Sequence, residues 1–357
     1  MRDLAGEPNF VRVNLSVLEW SNIHRRFQDR TIYQTPEWLK FLTSTQHGEV
    51  VFATLRQDNR SLGYFSGLVV NKVGLKVLGS PLPGWTTSYM GLNLLPGVAR
   101  RSAVDALMRF AFEDLNCVHV EMMDRNLTAE DVKALGYEYG NLHGFEIDLS
   151  QREDKLFANM TSACRRCIRR ADKRGVTIEE ANDIGFADEY YEQLQEVFMK
   201  QALVPTYGRE RVRALIRCLG GLNEVLLLRA RDPEGRCIAT GIFPALNGTM
   251  YFWGGASRQA FQAFRPNEAI QWYAMRYWKH QGMDRYDMGG GGDYKRKYGG
   301  YEITVPWLRK SKYPWIKALR ELAKHMISSR QKVRARTESL IRAIHGRHLT
   351  APDPIEQ

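Results

Sequence analysis

Residues 286–300 read YDMGGGGDYKRKYGG. Four consecutive glycines lead into Tyr294, Lys295, Arg296, Lys297 and Tyr298, and two more glycines follow. Glycine lets a backbone approach a ligand closely, because no Cβ stands in the way. An ammonium fixed beside such a backbone suits acyl transfer. Attack of an amine on an ester or thioester builds negative charge on the carbonyl oxygen, and a positioned cation stabilises that charge most in the transition state. The stretch offers two such cations, Lys295 and Lys297, with the Tyr294 ring beside them. A mobile loop with solvated lysines fits the same residues, and the stretch alone leaves both readings open.

A second cluster is purely basic: Arg165, Arg166, Arg169, Arg170, Lys173 and Arg174. At about 100° per residue these six fall on one half of a helix, and Met160, Cys164, Cys167, Ile168 and Ala171 fall on the other. Like charges at this spacing repel unless an anion is near. Arg166 and Arg170 are therefore candidates for contact with a diphosphate or an RNA backbone, against the plainer reading of a solvated face. Cys164 and Cys167 read as small buried residues. A zinc or redox C-x-x-C would need a second ligand pair or a βαβ context, and neither is visible.

The elements that must position these groups follow a plan that occurs twice. In the second half, EVLLLRARD and RCIATGIFPAL are strands joined by the turn DPEG. Asn247-Gly248 is a type I′ hairpin signal leading into TMYFWGGA. A helix over PNEAIQWYAMRYWKHQG has Pro266 near its start and Gly282 at its end, and the strand DRYDM follows. In the first half, VVFATL, LGYFSGLVV and GLKVLG are strands, a helix spans about Ala99 to Leu115, CVHVEMM is a strand, and a short helix precedes YEYGNLHGFEIDL. Two α/β (α+β) lobes of one design are expected, meeting near Leu149 to Glu153. The predicted division is 1–150, 151–310, and a basic amphipathic helix and tail over 311–357. PLPGWTTSYMG (Pro81 to Gly91) is too rich in turn residues and aromatics for a plain strand, and reads as a loop lining a cleft, with Trp85 in it.

This order is the core of GNAT-type acyltransferases. YQTPEW (Tyr33 to Trp38), RRCIRRADKRGV (Arg165 to Val176), Tyr251 to Gly290, and the aromatic–Lys–basic–x–aromatic–Gly stretch Tyr294 to Gly299 resemble the FemABX-like tandem GNAT transferases. Those enzymes move amino acids from aminoacyl-tRNA to muropeptide precursors, and they grade into acyltransferases of envelope polysaccharide clusters. The resemblance covers most of the chain. It implies a lysine beside the reaction centre, for which Lys295 sits at the matching place. It implies a carboxylate at a strand end in the acceptor cleft, matched by Asp124 in VEMMDRN, which could orient or deprotonate the attacking amine. Asp is also an ordinary turn former there. His119 lies two alternations back on that strand. Trp38 and Lys40 resemble positions that grip the acceptor's phosphates, although core packing explains Trp38 as simply.

One departure bears on the donor. Acyl-CoA users place a glycine-rich turn where backbone N–H groups cradle the pyrophosphate at a helix N-terminus. Here SRQAFQAFRPNEA has no glycine between Ala256 and Ala269. An aminoacyl-tRNA donor gains and acyl-CoA is disfavoured. No G-x-S-x-G elbow, H-E-x-x-H or P-loop occurs, so no covalent intermediate or metal is expected, and no bound cofactor.

The chain has 357 residues and a formal net charge of +11. Between Arg309 and His348 twelve Lys/Arg face only Glu321 and Glu338, so the remainder is close to neutral. The basic segment carries Ile316, Leu319, Leu322, Ala323 and Met326 at helical spacing. It is expected to pack on the body through them, with a solvated or anion-facing outer side that could touch RNA or an anionic membrane. No signal-peptide pattern opens the chain, and five scattered cysteines suit free thiols, so a cytoplasmic enzyme is expected. Three readings follow: an aminoacyl transfer from tRNA to an amine of a peptidoglycan-type or nucleotide-sugar precursor; an acyl-CoA-dependent N-acyltransferase of envelope polysaccharide; and a non-catalytic RNA-binding relative.

Overall fold

The computed structural model describes residues 6–323 and 326. The first half comprises β1 (Asn9–Val13), α1 (Val17–His24), α2 (Pro36–Gln46), β2 (Glu49–Gln57), β3 (Arg60–Lys72), β4 (Leu75–Ser80) and β5 (Leu92–Leu94). It continues through α3 (Arg100–Glu113), β6 (His119–Met123), α4 (Ala129–Leu135) and β7 (Glu138–Asp148). After α5 (Glu153–Asn159) and α6 (Ser162–Lys173) the order repeats. β8 (Thr177–Ala181), α7 (Phe186–Lys200), α8 (Arg209–Leu219), β9 (Val225–Arg231), β10 (Cys237–Leu246), β11 (Thr249–Tyr251) and β12 (Gly254–Ser257) come first. α9 (Pro266–His280), β13 (Arg285–Gly290), a 3-10 turn over Asp293–Tyr298 and β14 (Tyr301–Ser311) complete it.

The strands form one mixed sheet in the order β1-β2-β3-β4-β6-β14-β7-β13-β11-β10-β9-β8, with β5 on β3 and β12 on β10. The order is palindromic once each strand is matched to the one seven later. β4 and β6 run parallel in one lobe, and β11 and β13 run parallel in the other. The fold is thus two lobes of the same α/β design, as the sequence pattern predicts. The centre of the sheet departs from two separate lobes. β14 lies between β6 and β7 of the first lobe, and β7 pairs with β13 of the second. Each lobe's last strand completes the other lobe's sheet.

Local chemistry explains the elements. Asn247 (φ 53°) and Gly248 (φ 77°) both take positive φ between β10 and β11, the type I′ hairpin read from their sequence. Thr35 caps α2 by accepting from the Trp38 N–H, with Pro36 at the first helical position. Helix α6 buries Cys164 and Ala171 and exposes Arg166 and Arg170, as its projection requires. Burial pushes the Cys164 thiol up to about 12, so it is a packed thiol, and the five cysteines are all free.

Apolar clusters fill each lobe, and one spans both. Trp20, Trp38 and Phe41 from the first lobe pack in the same cluster as Phe186, Tyr190 and Leu219 from the second. Residues 314–323 are helical, and here the structure corrects the expected packing face. Only Ile316 of the apolar set is buried, while Leu319, Leu322 and Met326 are exposed. The Arg320–Glu138 ion pair and the Ile316 contact fix the helix's rotation, so the stripe turns outward. The rest of the basic segment lies outside the described residues.

The exchange of β7 and β14 has a measurable outcome. Residues 1–150 made alone leave β6 with a bare edge and β7 with no partner strand, and they should aggregate or fail to fold. The full chain should unfold in one transition, with circular dichroism and tryptophan fluorescence tracing the same curve.

Candidate active site

The glycine run is an ordered support for one lysine. Gly291 (φ 71°) and Gly292 (φ 85°) turn the chain out of β13 into the 3-10 turn with backbone angles that side-chain-bearing residues rarely adopt. The turn carries Lys295 inward, to 5% exposure. Its Nζ donates to the carbonyls of Met288 at 2.6 Å and Gly290 at 2.8 Å, and lies 5.8 Å from the centre of the Phe252 ring. Burial lowers the pKa of this ammonium to about 8, and the charge of Asp287 opposes the fall. The 3-10 turn occupies the place that α4 holds in the first lobe.

Lys295 lines a cavity of about 460 Å³ between the lobes. Tyr33 and the loop residues Pro83, Thr86, Thr87 and Ser88 come from the first lobe, and Phe252, Trp253 and Met288 from the second. Lys295 is the one charged side chain among the lining residues. A second cavity, also about 460 Å³, lies within the second lobe between β10, β12 and the start of α9. Thr240, Ser257, Gln262, Asn267, Tyr294 and Lys297 line it, and Phe252 belongs to both cavities. Tyr294 and Lys295 are therefore neighbours that face different cavities. Lys297 is ion-paired with Glu268 at 2.7 Å, which leaves Lys295 as the cation facing the interlobe space.

Asp287, on the YD strand, organises the junction. Its carboxylate accepts from the Gly289 N–H at 2.7 Å and from the Tyr89 hydroxyl at 2.8 Å. The first contact fixes the peptide whose neighbours hold Lys295. The second ties that peptide to the first lobe's loop. Arg125 donates to the Tyr89 oxygen at 3.3 Å and pairs with Glu146 at 2.5 Å. Burial pushes the Asp287 carboxyl up.

The remaining sequence-derived residues fall in several places. Asp124 does end its strand, but both its oxygens are committed. Oδ2 accepts from Arg100 at 2.6 Å and from the Leu92 N–H at 3.1 Å, and Oδ1 accepts from the Asn126 N–H at 2.8 Å. It lines a smaller pocket with Asp29 and Arg125, away from Lys295. His119 is buried between Ser311 (2.9 Å) and Glu121 (3.0 Å). Trp38 is fully buried, and its indole N–H donates to Thr87 at 3.0 Å, so it supports the loop rather than lining the cavity. Trp85, within that loop, is buried and does not line the cavity as expected. Lys40, Arg166 and Arg170 are exposed. Sequence reading passed over Tyr89, Arg125 and Asp287. The one available signal was a carboxylate on or just past each of two corresponding strands, YD in one lobe and DR in the other.

The geometry can be set beside known proteins. Residues 158–298, which hold the second cavity and Lys295, match the acetyltransferase (GNAT) domain family. The fold of the whole chain is similar to FemX, with 14% identity and a TM-score of 0.67 over 83% of this chain and 96% of that one. It is also similar to a tandem GNAT protein from the clavulanic acid biosynthesis pathway (13%, TM-score 0.51, 86% and 99%). A third is the C-terminal domain of a putative lysylphosphatidylglycerol synthetase from Agrobacterium fabrum (10%, TM-score 0.53, 86% and 95%). No curated protein matches the sequence. The chain is a GNAT-fold acyltransferase. Over most of its length it shares the fold of FemX and of the tandem GNAT protein.

Two substitutions separate support from chemistry. Asp124→Ala leaves Arg100 with Asp29 alone and removes the acceptor of the Leu92 and Asn126 N–H groups, and should cost about 1–3 kcal/mol in urea unfolding. Asp287→Asn removes the charge that sustains the Lys295 ammonium, so its pKa should fall further below about 8. Faster labelling of Lys295 by an amine-selective reagent at neutral pH, read by peptide mass spectrometry, would register that fall.

Proposed function

We propose that the chain transfers an aminoacyl group from aminoacyl-tRNA to an amine of a cell-envelope precursor, with Lys295 at the reaction centre. The observation that carries this reading is a buried lysine on the interlobe cavity, beside the Phe252 ring that this cavity shares with one inside the second lobe. The donor's acyl end enters from the second-lobe cavity. The acceptor occupies the interlobe cavity, against the first lobe's loop. On this division residues up to about 150 serve the acceptor, and 151–310 serve the donor.

The amine nitrogen attacks the acyl carbonyl carbon, a C–N bond forms, and the ester C–O bond breaks. The amine loses one proton and the departing ribose oxygen gains one. Lys295, held by the Met288 and Gly290 carbonyls, presents its positive charge to the carbonyl oxygen as that oxygen becomes negative. Glycine-free residues 257–265 at the start of α9 support a donor other than acyl-CoA. The exposed Arg166 and Arg170 suit a tRNA backbone. The acetyltransferase description of the matched domain favours one second reading, acyl-CoA-dependent N-acylation in the same cavities. Incubation with charged tRNA pools and with acetyl-CoA, each with envelope precursors, followed by mass spectrometry, distinguishes the two. A cytoplasmic location accords with either donor.

Lys295→Met should lower kcat about a hundredfold or more with little change in acceptor KM. Lys297→Met should be milder, because its charge is already paired with Glu268. Since the charged form is the active one, the rate should fall as pH rises through about 8, and the Lys295→Met variant should lack that fall. If both variants keep normal turnover, the reaction centre lies elsewhere. Arg166→Glu with Arg170→Glu should weaken tRNA binding and flatten its salt dependence, measured by filter binding across a salt series.

A further inference from the structure

The helix that follows β14 carries an apolar stripe facing away from the protein. At about 100° per residue, Trp315, Leu319, Leu322 and Met326 project within roughly 60° of one another. They are 54%, 46%, 59% and 50% exposed. Tyr313 extends the stripe, its ring stacked on Trp315 at 6.2 Å and 6°. The helix is anchored on another part of its circumference, through buried Ile316 and through Arg320, which donates to Glu138 at 2.5 Å. Those anchors hold the stripe in the open.

A contiguous exposed apolar patch marks an interaction surface. Its surroundings define the partner's chemistry. Lys312, just before the helix, is exposed next to Tyr313. The sequence from Arg309 to His348 holds twelve Lys/Arg against two glutamates, while the rest of the chain is near neutral. A partner must therefore offer both an apolar phase and negative charge. RNA would answer the cations and leave Trp315, Leu319 and Leu322 in water. A bilayer containing anionic lipid answers both at once. Aromatic rings lie at headgroup level, leucines reach the acyl boundary, and lysines and arginines meet the lipid phosphates. We propose that this face docks on an anionic membrane surface, with the helix lying in its plane. Among the described residues no helix is long and apolar enough to cross a membrane, so the association is peripheral.

The test is flotation of the full chain with vesicles of phosphatidylcholine carrying about 30% phosphatidylglycerol, and with phosphatidylcholine alone. The protein should float with the anionic vesicles and stay behind with the neutral ones. Binding should drop several-fold when salt rises from about 0.1 M to about 1 M, which shortens the Debye length from ~10 Å to ~3 Å. Leu319→Glu with Leu322→Glu changes two exposed positions, so circular dichroism should be unaltered, and vesicle partitioning should fall about tenfold or more. Absence of flotation with anionic vesicles overturns the proposal. So does flotation that the double variant leaves intact, because the stripe then takes no part. A dimer in the wild type that the variant converts to monomer, without vesicle binding, overturns it in favour of a second copy. RNA binding lost in the variant, again without vesicle binding, overturns it in favour of nucleic acid. Acyl transfer to a water-soluble acceptor should be equal in wild type and variant, so the outcome is separable from the assignment of Lys295.

Discussion

A strand in the middle of a sheet must satisfy its backbone hydrogen bonds on both sides, and that requirement ties the two lobes together. β14 belongs by sequence to the second lobe, yet it finds both its neighbours, β6 and β7, in the first. β7 in turn supplies the partner that β13 needs. Interlobe geometry is thus set by main-chain ladders rather than by a surface contact that could slide. A cavity between lobes joined in this way keeps its shape, which a reaction needing near-attack placement of two substrates requires.

Much of the backbone plan was legible in the sequence, because it depends on local signals. Asn247-Gly248 specified its hairpin, Pro266 and Gly282 bracketed α9, and the alternation of apolar residues marked the long strands. The exchange of β7 and β14 was not legible. Strand pairing depends on which edges remain unsatisfied after the rest has folded, and no local residue pattern encodes that. The rotation of the C-terminal helix was misread for a similar reason. Counting apolar positions pointed to Leu319 and Leu322, whereas an ion pair between Arg320 and a residue nearly two hundred positions away decided the matter.

The site divides the same way. Lys295 announced itself through its glycines, since a positive-φ turn leaves a compositional trace. Asp124 and Asp287 look alike in sequence, each a carboxylate at or near a strand's C-terminal end. Their partners distinguish them: Arg100 holds one, and Tyr89 and a glycine amide hold the other. Tyr89, Arg125 and Asp287 are brought together from three elements spread over much of the chain, a convergence that only tertiary structure reveals.

The doubled backbone does not carry a doubled set of side chains. Where the second lobe has the lysine-bearing turn, the first has the ordinary helix α4. Where α9 opens beside a cavity, the matching start of α3 is closed by Arg100 bound to Asp29 and Asp124. The two copies have therefore diverged at matching corners: the second holds a buried lysine beside a cavity, and the first holds an arginine bound by two carboxylates. On the proposed assignment the reaction has a single centre, at Lys295, and moves one acyl group at a time. A single proposed centre has no equivalent partner to couple with, so on that reading the rate should follow a simple hyperbola in each substrate.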